Sequence, residues 1–190
     1  FGRVELNGKW NYLKPDGTLL SEQWFYKCGS FIDGFGVVVL NGKQNYIKSD
    51  GQLLSKQWFD RCYFFDSGFG VVELNGKQNY IKTDGEFLSD IWFNYCDRFS
   101  GGFGVVKLNG KWNYIKPDGT LLSDKWFNIC RRFKNGFGEV ILDGDEYMID
   151  KTGKISKRGI NKYKLIKITE SQAKDLKQSL YMTRFKFKSN

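Results

Sequence analysis

The residues that could do chemistry in this chain are four cysteines and a series of aspartates, and both recur at a fixed interval. Cys28, Cys62, Cys96 and Cys130 lie 34 residues apart. This spacing differs from the closely spaced Cys-x-x-Cys pairs that hold zinc. The sequence contains no histidine, so it lacks the commonest general base and both the Ser-His and the Cys-His dyads. We therefore expect no enzymatic activity, no metal site and no cofactor.

The interval between the cysteines favours a structural role for them. Equivalent positions in stacked sheets lie about 10 Å apart, which exceeds the Cα separation of about 7 Å that a disulfide tolerates. We expect free thiols that are buried as small hydrophobic groups, and a reducing compartment, with the cytoplasm favoured. The recurrent aspartates precede glycine, and a turn explains an Asp-Gly pair without catalysis. These pairs are Asp16-Gly17, Asp50-Gly51, Asp84-Gly85 and Asp118-Gly119.

The composition predicts sheets. Aromatic residues make up 17% of the chain while alanine occurs once, at Ala173, and no apolar stretch is long enough to span a membrane. The chain begins at Phe1 inside a repeat and shows no signal peptide. We therefore expect a fragment whose upstream residues, including any targeting segment, are missing.

The net charge of +9 is unevenly distributed along the chain. Residues 1–150 hold 18 basic and 19 acidic side chains, whereas residues 151–190 hold 12 and 2. A basic tail is most simply a solvated face or a docking segment for an acidic protein, and the alternative is contact with nucleic acid.

The 34-residue unit begins as a β-hairpin. A strand-like Phe-Gly-x-Val-x-Leu run is followed by Asn-Gly, the strongest short hairpin signal, and by a second strand of the type Lys-x-Asn-Tyr-Ile-Lys. A type I′ turn at Asn7-Gly8 would place Glu5 opposite Trp10 and Val4 opposite Asn11. One face then carries apolar residues together with an asparagine in each copy, and we expect it to form the core. Since a buried amide must be hydrogen-bonded, we expect these asparagines to bind backbone of the neighbouring unit. They are Asn11, Asn45, Asn79 and Asn113.

The opposite face carries the residue pair that differs most between copies. We interpret this variation as exposure and predict a ligand face here, because planar aromatic side chains suit both sugar rings and protein hot spots. The alternatives are an ordinary solvent-facing sheet and the packing surface of the next unit. The predicted binding residues are Trp10, Gln44, Gln78 and Trp112, with their partners Glu5, Val39, Glu73 and Lys107.

The third segment of each unit has the form Trp-Phe-x-x-Cys-x-x-Phe, for which we predict a short strand or an irregular turn whose aromatic residues cover the hairpin. Beyond Gly153 the repeat dissolves. Residues 160–169 alternate like a capping strand, and Thr169 to Gln172 resembles a capping box that opens a short helix.

The phrase Gly-Lys-Trp-x-Tyr-Ile, followed by Asp-Gly and by Phe-x-x-Gly-Phe-x-Val-Val, resembles the WG (KWG) repeat of bacterial and phage proteins over residues 1 to about 155. Asparagine replaces the glycine that normally follows the tryptophan, and Gln44 and Gln78 replace the tryptophan itself. The choline- and glucan-binding cell-wall repeats are a weaker likeness because their period is shorter. The resemblance implies an array of β-hairpins and no settled activity.

These observations predict an all-β fold: an open, solenoid-like array of hairpin repeats over residues 1–155, with a small basic α/β cap over 156–190. A β-propeller is the alternative. We expect a non-catalytic scaffold that binds a protein, or a carbohydrate, through a repeat face. The alternative function is a basic-tailed adaptor that binds nucleic acid or forms part of a virion or larger complex.

Overall fold

A computed structural model describes residues 1–158, apart from the side chain of Phe64. Its regular secondary structure consists of β-strands, so the predicted all-β class is confirmed for these residues. The strands are β1 (Gly2–Leu6), β2 (Lys9–Leu13), β3 (Lys27–Ile32), β4 (Phe35–Leu40), β5 (Lys43–Lys48), β6 (Arg61–Asp66), β7 (Phe69–Leu74), β8 (Lys77–Lys82), β9 (Tyr95–Cys96), β10 (Gly104–Leu108), β11 (Lys111–Ile115), β12 (Ile129–Cys130), β13 (Phe137–Leu142), β14 (Asp145–Asp150) and β15 (Ile155–Lys157).

The chain divides into two compact units, Phe1–Lys157 and Arg158–Asn190. The predicted basic cap and its capping-box helix fall in the second unit and lie outside the described residues, and the assignment of residues 1–155 and 156–190 as two domains stays a prediction. In the described part of the chain there is no helix of the length and hydrophobicity that a membrane crossing requires.

Each repeat is built on the hairpin that its Asn-Gly pair predicts. Asn7 and Gly8 have φ of 50° and 75°, so both occupy the left-handed region that a type I′ turn requires. The resulting register places Glu5 opposite Trp10 and Val4 opposite Asn11, as predicted. The same pairing recurs in β4–β5, β7–β8, β10–β11 and β13–β14.

The third segment of each repeat pairs with two successive hairpins, with the first through an isolated bridge and with the second as a strand of its sheet. Phe25 first pairs with Trp10 of its own hairpin, and β3 then pairs with β4 of the next one. We call β3, β6, β9 and β12 the linking strands. Two of them turn into the following strand through a two-residue connection whose first residue has positive φ, at Asp33-Gly34 after β3 and at Ser67-Gly68 after β6. Beyond β12, the bridge between Lys134 and Phe137 encloses a turn of the same kind at Asn135-Gly136. The predicted third strand is therefore present, and it connects successive units.

The hydrophobic core consists of four separate clusters, one at each junction between successive hairpins. The first junction joins Tyr12 of one hairpin to Val38 and Ile47 of the next, and the other three junctions repeat this arrangement. The sheet of β1 and β2 and the sheet of β12 to β15 share no strand. Within residues 1–158 the repeats thus pack on their immediate neighbours, as an open array requires.

Both faces of each hairpin take part in these junctions, which corrects the expectation that the variable face is exposed. That face also carries a fully buried tyrosine, Tyr12 in the first hairpin. The Tyr12 hydroxyl lies within hydrogen-bonding distance of two backbone carbonyl oxygens of the next sheet, those of Gly29 (2.9 Å) and Val37 (3.1 Å). On the same face Gln78 is 8% exposed, Trp10, Gln44 and Trp112 are half-buried, and Glu5 is exposed. The reason is physical: a strand in a stacked array must bury both of its faces.

The asparagine that recurs in the first four hairpins is fully buried, as expected for a structural residue. Asn113 donates through Nδ2 to the carbonyl oxygens of Ser123 (2.7 Å) and Lys125 (3.2 Å), and its Oδ1 accepts from the amide of Tyr114 (2.8 Å). Its partners belong to its own repeat, and the expected bond to the neighbouring unit is wrong. The amide holds the loop that leads to the linking strand.

Candidate binding surface

The predicted binding pairs are extended by the linking strands into rows of three residues across each sheet. The register places Lys27 beside Val39, Arg61 beside Glu73, Tyr95 beside Lys107 and Ile129 beside Ile141. The first sheet contains only the pair Glu5 and Trp10. The complete rows are Lys27–Val39–Gln44, Arg61–Glu73–Gln78, Tyr95–Lys107–Trp112 and Ile129–Ile141–Glu146.

Gln44 and Gln78, the glutamines of these rows, connect neighbouring sheets. Oε1 of Gln44 accepts a hydrogen bond from the amide of Cys62 at 2.8 Å, and Oε1 of Gln78 accepts from the amide of Cys96 at the same distance. Both bonds run from a hairpin to the linking strand of the next sheet. The observed contacts of these two predicted residues are therefore with the scaffold.

Glu73 is also engaged within the protein. Its Oε2 accepts hydrogen bonds from Nε2 of Gln78 (3.0 Å) and from the hydroxyl of Tyr63 (2.8 Å). These two bonds lower the pKa of the Glu73 carboxyl below its usual value. Glu73 consequently fixes the ring of Tyr63, a residue of linking strand β6.

The row Tyr95–Lys107–Trp112 is the place where predicted residues line an open cavity. The cavity has a volume of about 470 Å³ and is lined by Tyr95, Lys107 and Trp112 together with Asn94, Asn109 and Gly110. The ammonium of Lys107 lies 5.0 Å from the centre of the Trp112 ring, within the range of a cation–π interaction. Tyr95 meets Trp112 edge to face at a centroid distance of 5.8 Å and is itself 42% exposed. The row thus presents a fixed aromatic pair and a positive charge to solvent.

The turn beside this cavity is held by its own hydrogen bond. Oδ1 of Asn94 accepts from the amide of Asn109 at 2.8 Å, so the last residue before β9 fixes the Asn-Gly turn of the next hairpin. Asp60 and Asn128 make the same bond to Asn75 and Asp143. This recurrence indicates a preorganised rim.

The groups that could have acted as nucleophiles or bases are poorly suited to either role. All four cysteines are free, and burial raises the pKa of the Cys28 thiol to about 12 and raises those of the other three. Such thiols stay protonated at neutral pH and are weak nucleophiles. In the Asp-Gly turns the pKa of Asp16 and Asp118 is lowered by hydrogen bonds from Thr18 and Thr120. A general base that works near pH 7 needs the opposite shift.

Sequence reasoning missed Tyr95 and Tyr63, which lie on linking strands. The signal was present: Asp33-Gly34, Ser67-Gly68 and Asn135-Gly136 are two-residue hairpin turns that precede the Phe-Gly strand of the next unit. Reading these pairs as turns would have paired the linking strand with the next hairpin, but with a register one residue off. Counting outward from Ser67-Gly68 places Cys62 opposite Glu73, whereas the irregularity between Cys62 and Phe65 places Arg61 there.

Comparison with known proteins identifies the repeat. The profile of the WG-containing repeat matches residues 46–77 and 80–112. Each match begins at a buried tyrosine of a second hairpin strand, Tyr46 or Tyr80, and runs through the following linking strand. No curated protein matches the chain.

Among solved structures, Hsv2 of Kluyveromyces marxianus is 14% identical with a TM-score of 0.43, over 84% of this chain and 59% of Hsv2. Hsv2 of Kluyveromyces lactis is 14% identical with a TM-score of 0.42, over 80% of this chain and 58% of Hsv2. The N-terminal domain of Nup159 is 10% identical with a TM-score of 0.39, over 68% of this chain and 42% of that domain.

The chain spans about three fifths of the length of the Hsv2 chains it matches. Likenesses of this strength do not decide between an open array and a β-propeller. The repeat itself is shown: residues 46–77 and 80–112 of this chain are two adjacent WG-containing repeats.

Proposed function

We propose that this chain is a non-catalytic interaction scaffold that binds a protein partner through the surface formed by Tyr95, Lys107 and Trp112. The observation that carries the proposal is the solvent-open cavity that these three residues line. Tyrosine and tryptophan are enriched among residues that dominate binding energy, and the Tyr95–Trp112 contact holds both rings without further ordering on binding. The absence of histidine from the sequence and the raised thiol pKa values support a non-catalytic role.

A protein partner fits this surface better than a carbohydrate does. Sugar rings stack on an open aromatic face, but Lys107 covers the ring of Trp112 on one side. Trp112 also packs against the hydrophobic cluster of the fourth junction. The groups left for a ligand are the Lys107 ammonium and the exposed Tyr95, which suit an acidic or backbone-rich protein surface.

The substitution Trp112→Gln tests this proposal with little disturbance of the scaffold. The chain already carries glutamine at the equivalent positions 44 and 78, where the side chain accepts from the next linking strand. We expect the free energy of unfolding to change by less than about 1 kcal/mol, as for most surface substitutions. Binding of the partner should weaken at least about thirtyfold, which corresponds to the loss of about 2 kcal/mol that marks a hot spot.

Trp10→Gln is the matched control, since it makes the same change in the first repeat. Affinity purification from cells with wild type, Trp112→Gln and Trp10→Gln, followed by titration of the purified partner, separates the outcomes. Equal affinity of all three proteins would contradict the proposed surface. If the captured partner is a nucleic acid and its affinity falls steeply with salt concentration, the result favours the basic-tailed adaptor instead.

A further inference from the structure

A second cavity, of about 420 Å³, lies where the linking strands of successive repeats come together. Its lining residues come from β3 and its turn, from β6, from β9 with the residues that follow it, and from Val71 of β7 and Gln78 of β8. Tyr95 lines both this cavity and the one beside Trp112, so the two are neighbours. None of the predicted binding residues except Gln78 reaches it.

The floor of this cavity is apolar and well packed. Phe65, Val71 and Cys96 contribute to it, and each is at most 7% exposed. Ile32 lies at the edge of the cavity with its side chain partly in water. Such a floor accepts the hydrocarbon part of a ligand without leaving polar groups unpaired.

Two tyrosines stand at the sides of the cavity, and both are fixed. The hydroxyl of Tyr63 donates to Glu73 and accepts from Nε2 of Gln78 at 3.2 Å. Tyr95 is held by its edge-to-face contact with Trp112. Both rings remain more than a third exposed. Aromatic faces that are preorganised in this way attract cations as well as apolar groups.

The charges at the cavity favour a cation. Three carboxylates line it, those of Asp33, Asp66 and Asp97, against one guanidinium, that of Arg98. Asp97 forms a bidentate pair with Arg132, with nitrogen–oxygen distances of 2.6 and 2.8 Å. Burial alone would raise the pKa of Asp97, but the hydrogen bonds and charges of Arg132 and Arg98 together outweigh burial, and the pKa is lowered.

When Arg132 is counted as well, three carboxylates face two guanidinium groups, so the site has a net charge of −1. Asp33 and Asp66 carry this negative charge, because Asp97 is paired with Arg132. Asp66 accepts a hydrogen bond from the hydroxyl of Ser67 at 3.0 Å. Asp33 has no ion-pair partner among residues 1–158 and is exposed. Both carboxylates are therefore available to a bound cation.

We propose that this cavity binds an arginine side chain of the protein partner, with its hydrocarbon stem on the apolar floor and its guanidinium between the tyrosine rings and the carboxylates of Asp33 and Asp66. Arginine combines an apolar stem with a planar cation that both stacks on aromatic rings and pairs with carboxylates. The inference rests on the proposed function, because it names a chemical feature of the partner of the same surface.

The experiment uses three short acetylated and amidated peptides of the form Gly-Leu-X-Leu-Gly. X is arginine, its uncharged isostere citrulline, or glutamate. Each is titrated into the isotope-labelled full chain, and the amide signals of residues 63–66 and 95–98 are followed by NMR. We expect saturable shifts with the arginine peptide and at least about tenfold weaker binding of the citrulline peptide. Equal binding of these two peptides, or no shift with arginine at millimolar concentration, would overturn the proposal.

Variants copied from later repeats locate the site. Asp33→Asn reproduces Asn135, whose φ of 52° matches the 49° of Asp33, and Asp66→Ser reproduces Ser100. The double variant should bind the arginine peptide at least about fivefold more weakly. Asp143→Asn is the control, because it removes one charge from a turn with φ of 51° in the fifth hairpin. Unchanged binding by the double variant, or an equal loss in the control, would contradict the assignment.

The two proposals can fail separately. Lys107→Ala removes the positive charge of the first cavity but leaves the Tyr95–Trp112 contact in place, and Lys107 does not line the second cavity. This variant should bind the arginine peptide like wild type even where it loses the partner. If the peptide binds as predicted while Trp112→Gln keeps full affinity for the partner, the proposed function fails at Trp112 and the arginine site stands. If the partner binds through Trp112 but the citrulline and arginine peptides bind equally, the arginine site fails and the proposed function stands.

Discussion

Gly119→Ala will destabilise the protein by about 2 kcal/mol or more beyond the loss caused by Gly17→Ala. The two glycines occupy the same Asp-Gly turn in different repeats and have nearly the same φ, 85° and 82°. The cost of a side chain at positive φ, about 1–2 kcal/mol, is therefore common to both. They differ in surroundings: a Cβ at Gly119 would overlap the backbone carbonyl oxygen of Leu88 in the preceding repeat, whereas a Cβ at Gly17 meets nothing within 4 Å.

Thermal and urea unfolding of the two variants measure this difference. For a chain of this length, about 1 kcal/mol corresponds to about 2–4 °C in Tm, so Gly119→Ala should melt at least about 4 °C below Gly17→Ala. Because Gly51 and Gly85 also face a carbonyl of the preceding repeat, alanine there should behave like Gly119→Ala. Equal losses at positions 17 and 119 would mean that the repeats do not pack on one another through these turns.

The second large effect is expected for Asn113→Leu, which should lower the free energy of unfolding by about 3 kcal/mol or more. Leucine would leave the buried amide of Tyr114 and the carbonyl of Ser123 without their partners, and each such loss costs about 1–3 kcal/mol. Leucine has the same branched arrangement of side-chain heavy atoms but bulkier terminal methyl groups, so overpacking at this buried position adds to the loss of hydrogen bonds.

Lys111→Leu is the control for Asn113→Leu, since it introduces the same residue two positions earlier on β11, where the side chain is exposed. It should change stability by less than about 0.5 kcal/mol. Urea unfolding of both variants provides the comparison. An Asn113→Leu protein as stable as Lys111→Leu would show that the amide does not hold the loop.

The hairpins were predictable because a local signal determines them. An Asn-Gly pair fixes a type I′ turn, the turn fixes the register, and the register places Asn11 on the apolar face and Glu5 opposite Trp10. Each of these steps depends on residues within a dozen positions of one another. The same reasoning correctly marked the asparagine as structural.

The burial of the variable face was not predictable in the same way. The sequence alternates around Gln78 as a half-exposed strand does, but the stacking of units buries Gln78 against the next linking strand. The residue at this position differs between copies because two kinds of contact can join the hairpin to the following sheet. Glutamine reaches the backbone amide of the linking strand, and tryptophan packs against a cluster. The candidate site likewise depends on Tyr95, which a non-local pairing brings beside Lys107.

Photo-crosslinking tests most directly whether a protein partner binds the surface formed by Tyr95, Lys107 and Trp112. p-Benzoylphenylalanine is placed in the full chain at position 95 and, in a separate protein, at position 26, where Tyr26 is 72% exposed in the first repeat. Irradiation in cells should give a discrete protein adduct at position 95 that disappears with Lys107→Glu, a residue the chain already carries at the equivalent position 73. Position 26 should give no such adduct. Identical adducts at both positions, or an adduct at position 95 that Lys107→Glu leaves unchanged, would contradict recognition through Tyr95, Lys107 and Trp112.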